Sequence, residues 1–160
     1  MFIKQTHFLA LLSFVILALT GCVVTYQEPH SSSQTAKILG DQHFQTEDFR
    51  GVLLVGKVDK IPVSYPPFKG TYVIVPAGEH EIGVDFQGWV RKKGLFSPAA
   101  PNVATATLNA NLKPGGIYQV RATTSFQEIL FRIDDTRTGQ PASPEVKGNC
   151  RHIEPVTIYY

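Results

Sequence analysis

Cysteine is the residue type in this 160-residue chain best suited to covalent chemistry, because its thiolate is a strong nucleophile. The chain has two cysteines: Cys22 ends a long apolar run, and Cys150 lies in the polar stretch KGNCRH. The polar neighbours predict some exposure of Cys150, and Arg151 and His152 are expected to lower its thiol pKa. Two interpretations of Cys150 stay open, a buried small hydrophobe and a free thiol able to form an intermolecular bridge.

Histidines and one acid-rich segment are the other candidates for chemistry. His80 follows a turn signal and alternates with Ile82, so both side chains are expected on one side of a strand. Residues 134–139, DDTRTG, are interpreted as a turn, with a calcium loop as the less favoured alternative. The chain contains no HExxH, Gly-x-Ser-x-Gly or phosphate-loop pattern. We therefore assign no catalytic residue, metal site or cofactor.

The apolar run that ends at Cys22 predicts a secretory leader. Lys4 gives it a positive start, residues 8–19 are apolar apart from one serine, and the small Thr20 and Gly21 precede the cysteine. A run of about a dozen residues is too short to cross a hydrocarbon core, which takes about 20. The layout is typical of a cleaved signal peptide. A buried core helix is disfavoured because the run is apolar all round and lies at the N-terminus.

Leu19-Thr20-Gly21-Cys22 resembles the lipobox of bacterial lipoproteins. The resemblance implies cleavage between Gly21 and Cys22, a diacylglyceryl thioether on Cys22, and acylation of its new amino group. Val23 in place of an aspartate implies sorting to the outer membrane, with the domain facing the periplasm or, alternatively, the cell surface. Several acyl chains, at ~0.8 kcal/mol per buried CH₂, make such an anchor durable.

The remaining chain divides into a tether and a β-domain. Residues 22–37 are predicted to be a lipidated N-terminus and flexible tether, because they are rich in polar residues and show no periodicity. Residues 38–160 contain about seven apolar, β-branched or alternating runs separated by turn signals. These runs are residues 51–63, 70–75, 79–86, 104–112, 117–125, 127–135 and 152–160.

The number and spacing of these runs predict an antiparallel, immunoglobulin-like β-sandwich, with a small β-barrel as the alternative. The segments VPAGEHEIGVDF, LNANLKPGGIYQVRA and FRIDDTRTG resemble a pattern of small bacterial surface lipoproteins, and the Gly-x-His phrase is similar to PEGA-type sandwich domains. That resemblance spans about residues 71–139 and implies a fold and a compartment, but no activity.

The segment QGWVRKKGLFSPAAP, residues 87–101, is predicted to be a long connecting loop. Aromatic and basic side chains in one loop suit an anionic, partly apolar surface such as lipid headgroups, lipopolysaccharide or an acidic partner. The favoured alternative is a solvated loop whose aromatic residues cap the core. The residues concerned are Trp89, Arg91, Lys92, Lys93 and Phe96.

Net charge adds little to the functional argument. The formal charge is +2, and loss of residues 1–21, which carry one basic and no acidic residue, leaves 14 basic against 13 acidic groups. This balance gives no reason to expect nucleic-acid binding. We expect a lipid-anchored, non-enzymatic protein with a structural or protein-binding role. A glycan- or lipid-binding module and a hydrolase with an unrecognised site, built on His80 or His152, are the alternatives.

Overall fold

The computed structural model describes residues 25–46, 49–65, 70–90, 100–125 and 128–152. Within these ranges the chain forms eleven β-strands and no helix. The strands are β1 Thr35–Leu39, β2 Asp41–Gln45, β3 Phe49–Val58, β4 Ile61–Pro62, β5 Tyr72–Pro76, β6 Gly78–Val90, β7 Ala100–Leu112, β8 Ile117–Ser125, β9 Glu128–Asp135, β10 Val146–Lys147 and β11 Asn149–His152.

Three predicted features lie outside the described residues. They are the cleavage and lipidation site Gly21 and Cys22, the loop residues Arg91, Lys92, Lys93 and Phe96, and the last predicted strand beyond His152.

The strands form two sheets. One has the order β10-β9-β8-β1-β5, and the other has the order β11-β7-β6-β3-β2, with β4 also paired to β3. The two sheets stay separate and pack face to face around one apolar core, which confirms the predicted sandwich over the alternative barrel. One described pairing is parallel, between β1 and β8, and it runs from Lys37↔Ile117 to Leu39↔Gln119. The prediction of a wholly antiparallel sandwich therefore needs this correction.

Strict alternation along the long strands places the core. On β6 the side chains of Ile82, Val84 and Phe86 are fully buried, as the alternating pattern predicts. The facing sheet contributes Ile129, Phe131 and Ile133 from β9 and Tyr118 and Val120 from β8, all of them buried. Because each strand turns alternate side chains to the core, the intervening positions of β6 face solvent.

A glycine pair makes room for the largest aromatic cluster of the core. Gly51 of β3 pairs directly with Gly88 of β6. A Cβ atom at Gly51 or Gly88 would lie 2.8 Å or 2.7 Å from the ring of Phe86. That ring makes edge-to-face contacts with Phe44 and Phe49, with ring centroids 5.8 Å apart in each pair. The two glycines are thus required by the close approach of backbone and ring.

The ordered domain starts earlier than residue 38. Strand β1 begins at Thr35, and Thr35 and Ala36 are buried. Upstream of it, the Tyr26 N–H donates a 2.7 Å hydrogen bond to the Pro62 carbonyl, and the Tyr26 hydroxyl donates one of 3.2 Å to the Ile74 carbonyl. Some residues that the sequence assigned to the tether therefore pack on the domain. They are held by hydrogen bonds to backbone groups far away in the sequence, which no local sequence pattern reveals.

Candidate binding surface

Trp89 lies on the outward face of the six-stranded sheet. It alternates along β6 with the buried Phe86 and the inward Gly88, and it is 54% exposed. The expectation that this indole caps the core is wrong, because the side chain points away from it. A single exposed apolar side chain is common on protein surfaces, so its functional meaning depends on the residues around it.

One arginine lies opposite the indole, and a second lies on the same face two strands away. Cross-strand pairing puts Arg50 of β3 directly opposite Trp89, and Arg50 is exposed. The next row of the same face runs through Val52, Gln87, Val103 and Arg151. Opposite residues on one face of a sheet have Cβ atoms about 5 Å apart, so the side chains of each row are neighbours. We call these residues the Trp89 patch: Arg50, Val52, Gln87, Trp89, Val103 and Arg151.

The strands extend into the segment that was predicted as a loop. Strand β6 continues to Val90 and β7 begins at Ala100, so residues 87–90 and 100–101 of the predicted loop belong to strands. Trp89 therefore sits on a strand whose neighbours on both sides hold its backbone in place. A side chain on a rigid strand is positioned more accurately than one on a loop.

Charge separates the Trp89 patch from the rest of this sheet face. The patch contains two arginines and no carboxylate, whereas Asp85, Glu81 and Glu79 occupy the outward positions farther along β6. Asp85 is half-buried, and that burial raises the pKa of its carboxyl group, with Lys57 acting in the opposite direction. An acidic ligand would therefore meet two arginines and no carboxylate at the Trp89 patch, and a mixture of carboxylates with Lys57 farther along the same face.

His80 meets an acid, as a hydrolase site would require. Its Nδ1 lies 2.7 Å from Oδ2 of Asp59, and Oδ1 of Asp59 accepts a 3.0 Å hydrogen bond from the Glu81 N–H. Asp59 and Lys60 have φ values of 49° and 70° and form the two-residue turn between β3 and β4. Burial alone would raise the pKa of Asp59. The hydrogen bonds from His80 and Glu81 have the larger effect, so the pKa of Asp59 is lowered overall.

The histidine–aspartate pair lacks a third member. His80 lies on the core side of β6, as its alternation with Ile82 predicts, and its side chain is only 13% exposed. Within the described residues, no serine, threonine or cysteine side chain hydrogen-bonds to His80. The pair therefore ties the β3–β4 turn to β6, and among the described residues no hydroxyl or thiol is bonded to it as a nucleophile would be.

Cys150 is a free, exposed thiol on the edge strand β11. It pairs with the buried Ala104, so its side chain lies on the core side of β11, while Arg151 points to the opposite face. Partial burial raises the pKa of the Cys150 thiol. The net shift of this pKa is thus upward and not downward as the sequence suggested, with Lys147 acting against the effect of burial.

The DDTRTG segment forms a turn. Oδ1 of Asp135 accepts hydrogen bonds from the N–H groups of Arg137 at 2.8 Å and Thr138 at 3.2 Å, and Gly139 has a φ of 69°. These bonds lower the pKa of Asp135, with desolvation acting against them. The turn interpretation of this segment is confirmed. In the part of the chain that the structure describes, no three His, Cys, Asp or Glu side chains group as a metal site would need.

Comparison with known proteins finds no matching family model, no matching curated protein and no matching solved structure. A search of the described ranges for a helix long and apolar enough to cross a membrane finds none. The functional argument therefore depends on the residues themselves.

Proposed function

We propose that this protein is a lipid-anchored component of the cell envelope, held at the outer membrane through Cys22, with a non-enzymatic binding or structural role. The observation that supports the anchor is the motif Leu19-Thr20-Gly21-Cys22 directly after an apolar leader. A thiol at that position is the nucleophile that diacylglyceryl transfer requires. The Trp89 patch is the surface feature that supports a binding role for the body of the protein.

Metabolic labelling tests the anchor. Cells expressing the full chain are grown with labelled palmitate, and the protein is compared with its Cys22→Ala and Cys150→Ala variants. We expect label in the parent and in Cys150→Ala, and none in Cys22→Ala. The two variants each remove one thiol, so general effects of losing a cysteine are matched. Label that persists in Cys22→Ala would overturn the proposal.

The Trp89 patch supports the binding role. Tryptophan and arginine are the residue types most often responsible for interface affinity, and here they are adjacent on a rigid sheet. The absence of carboxylates within the patch favours an acidic partner. We therefore propose that an acidic envelope protein binds this face. An anionic glycan or lipid is the second candidate, because the indole is 54% exposed and stands opposite a guanidinium group.

Photo-crosslinking in cells separates these candidates. A benzophenone amino acid replaces Gln87 inside the patch or, as the control, Thr107, which is exposed on the same face near the acidic end. We expect one discrete protein adduct from position 87 that disappears on Trp89→Ala and is absent from position 107. Capture of a glycan or lipid from position 87 would replace the first candidate by the second. Equal adducts from both positions would reject the patch.

A further inference from the structure

The proposed lipid and the folded domain are separated by very little chain. Three residues, Val23, Val24 and Thr25, lie between Cys22 and Tyr26. Four Cα–Cα steps span at most about 14 Å when fully extended. Because Tyr26 is hydrogen-bonded to the domain through its N–H and its hydroxyl, the effective tether ends there and not at residue 37.

Tyr26 is attached at one particular edge of the sandwich. Its N–H bonds to Pro62 of β4, which pairs with β3, and its hydroxyl bonds to Ile74 of the edge strand β5 in the other sheet. Strand β5 contacts β3, so β4 and β5 lie at the same side of the molecule. Burial, together with the carboxylates of Asp59 and Glu28, raises the pKa of Tyr26 to about 12, so its hydroxyl remains a donor at physiological pH.

Two further tyrosines lie along this β4–β5 edge. The Tyr65 hydroxyl accepts from the Val55 N–H at 3.2 Å and donates to the Val55 carbonyl at 3.0 Å, so it bonds both backbone groups of a β3 residue. Tyr72 belongs to β5, and the Lys37 ammonium lies 3.9 Å from the centroid of its ring. The hydroxyls of Tyr26 and Tyr65 are bonded to backbone groups and the Tyr72 ring faces Lys37, so these side chains fix the edge at which the chain from Cys22 arrives.

We infer that the anchored domain rests on the bilayer through its β4–β5 edge, with lipid headgroups as the partner of that edge. The inference depends on the proposed lipidation of Cys22. The opposite edge is formed by β10 and β11 and includes Cys150. It lies four strand spacings away, or about 19 Å at ~4.8 Å per strand. The Trp89 patch, on the outer face of the six-stranded sheet, then stands beside the membrane and stays open to a partner.

Fluorescence quenching by headgroup-labelled lipid tests this orientation. Trp89 is the single tryptophan of the chain, so a Trp89→Phe background permits one reporter at a time. Ser64→Trp places the reporter next to β4, and Asn149→Trp places it on β11; both positions are exposed. The full, acylated proteins are reconstituted in phosphatidylethanolamine–phosphatidylglycerol vesicles with a nitroxide headgroup lipid. We expect several-fold stronger quenching of the Ser64→Trp protein than of the Asn149→Trp protein.

A spacer variant and a mass measurement make the outcome decisive. Inserting about ten Gly and Ser residues after Val24 adds a flexible reach of roughly 17 Å and should reduce the quenching of Ser64→Trp to the level of Asn149→Trp. Equal or reversed quenching in proteins whose mass shows acylated Cys22 would overturn the orientation alone. Absence of the acyl mass would overturn the proposed anchor and the orientation together. Matching unfolding midpoints would show that the reporters leave the fold intact.

Discussion

Phe86 and Trp89 lie three residues apart on the same strand and have opposite environments. Phe86 is fully buried between Phe44, Phe49 and a glycine pair, whereas Trp89 is 54% exposed on the other face. The inward side chains of β6 are held in place by core packing. The Trp89 side chain points away from the core and is not held by that packing. The comparison shows that one strand holds a large aromatic residue in each environment, and that core packing accounts for the position of Phe86 but not for that of Trp89.

The largest effect is expected from paired truncations of these two aromatic residues. Phe86→Ala removes a fully buried ring and should lower the free energy of unfolding by about 3–5 kcal/mol. Trp89→Ala should change it by no more than about 0.5 kcal/mol, because no packed core is disturbed. Urea unfolding followed by circular dichroism measures both. A loss above about 2 kcal/mol in Trp89→Ala would contradict the assignment of Trp89 to binding.

The second largest loss of stability is expected from a substitution in the Gly51–Gly88 pair. Gly88→Ala adds a Cβ that would meet the Arg50 carbonyl oxygen first, and then the Phe86 ring and the Gly51 Cα atom, each at 2.7 Å. Overpacking of this kind typically costs about 1–3 kcal/mol. The matched control is Gly70→Ala, whose Cβ would meet its nearest atom at 3.5 Å. Equal thermal midpoints for the two variants would show that the core yields more easily than its geometry suggests.

The smallest effect is expected at the Asp59–His80 pair, and it should depend on pH. The pKa of Asp59 is lowered in the folded protein, so the carboxylate stabilises the fold above the unfolded pKa of about 3.9. That stabilisation is lost as pH falls through the folded pKa. Asp59→Asn should therefore cost at most about 1 kcal/mol at neutral pH, since the side chain is half exposed and solvent screens the pair.

The pH series itself is the measurement for this pair. Asparagine tolerates the positive φ of 49° at this turn, so the variant changes the charge more than the backbone. Urea unfolding of parent and variant should give curves that converge below pH 3.9, the ordinary aspartate pKa. A difference that stays constant from neutral to acidic pH would assign the loss to turn geometry and not to the charge of the Asp59 carboxylate.

The sequence predicted the parts of this fold that follow a local period. Alternation in residues 79–86 identified the buried positions of β6, and continuing the same period would have placed Trp89 outward. The predicted loop began at residue 87, whereas the strand continues to Val90. The places of Tyr26 and β1 could not be predicted, since their partners Pro62, Ile74 and Ile117 are distant in the chain.

The candidate surface was only partly predictable for the same reason. The aromatic and basic residues around position 90 were visible in the sequence, but Arg50 and Arg151 reach the patch through cross-strand pairing. Likewise, Asp59 and His80 are 21 positions apart and meet through the turn between β3 and β4. Composition identifies which side chains are available, and sheet register decides which of them become neighbours.

The parallel pairing of β1 with β8 has a kinetic consequence. Leu39 of β1 pairs with Gln119, 80 positions later, so the five-stranded sheet stays incomplete until most of the chain is present. Closing so long a loop costs entropy before the contacts compensate for it. Sandwiches dominated by such distant pairings fold in roughly milliseconds to seconds. A β1 strand that has paired with β5 but not yet with β8 would present one row of unpaired backbone groups to any chain nearby.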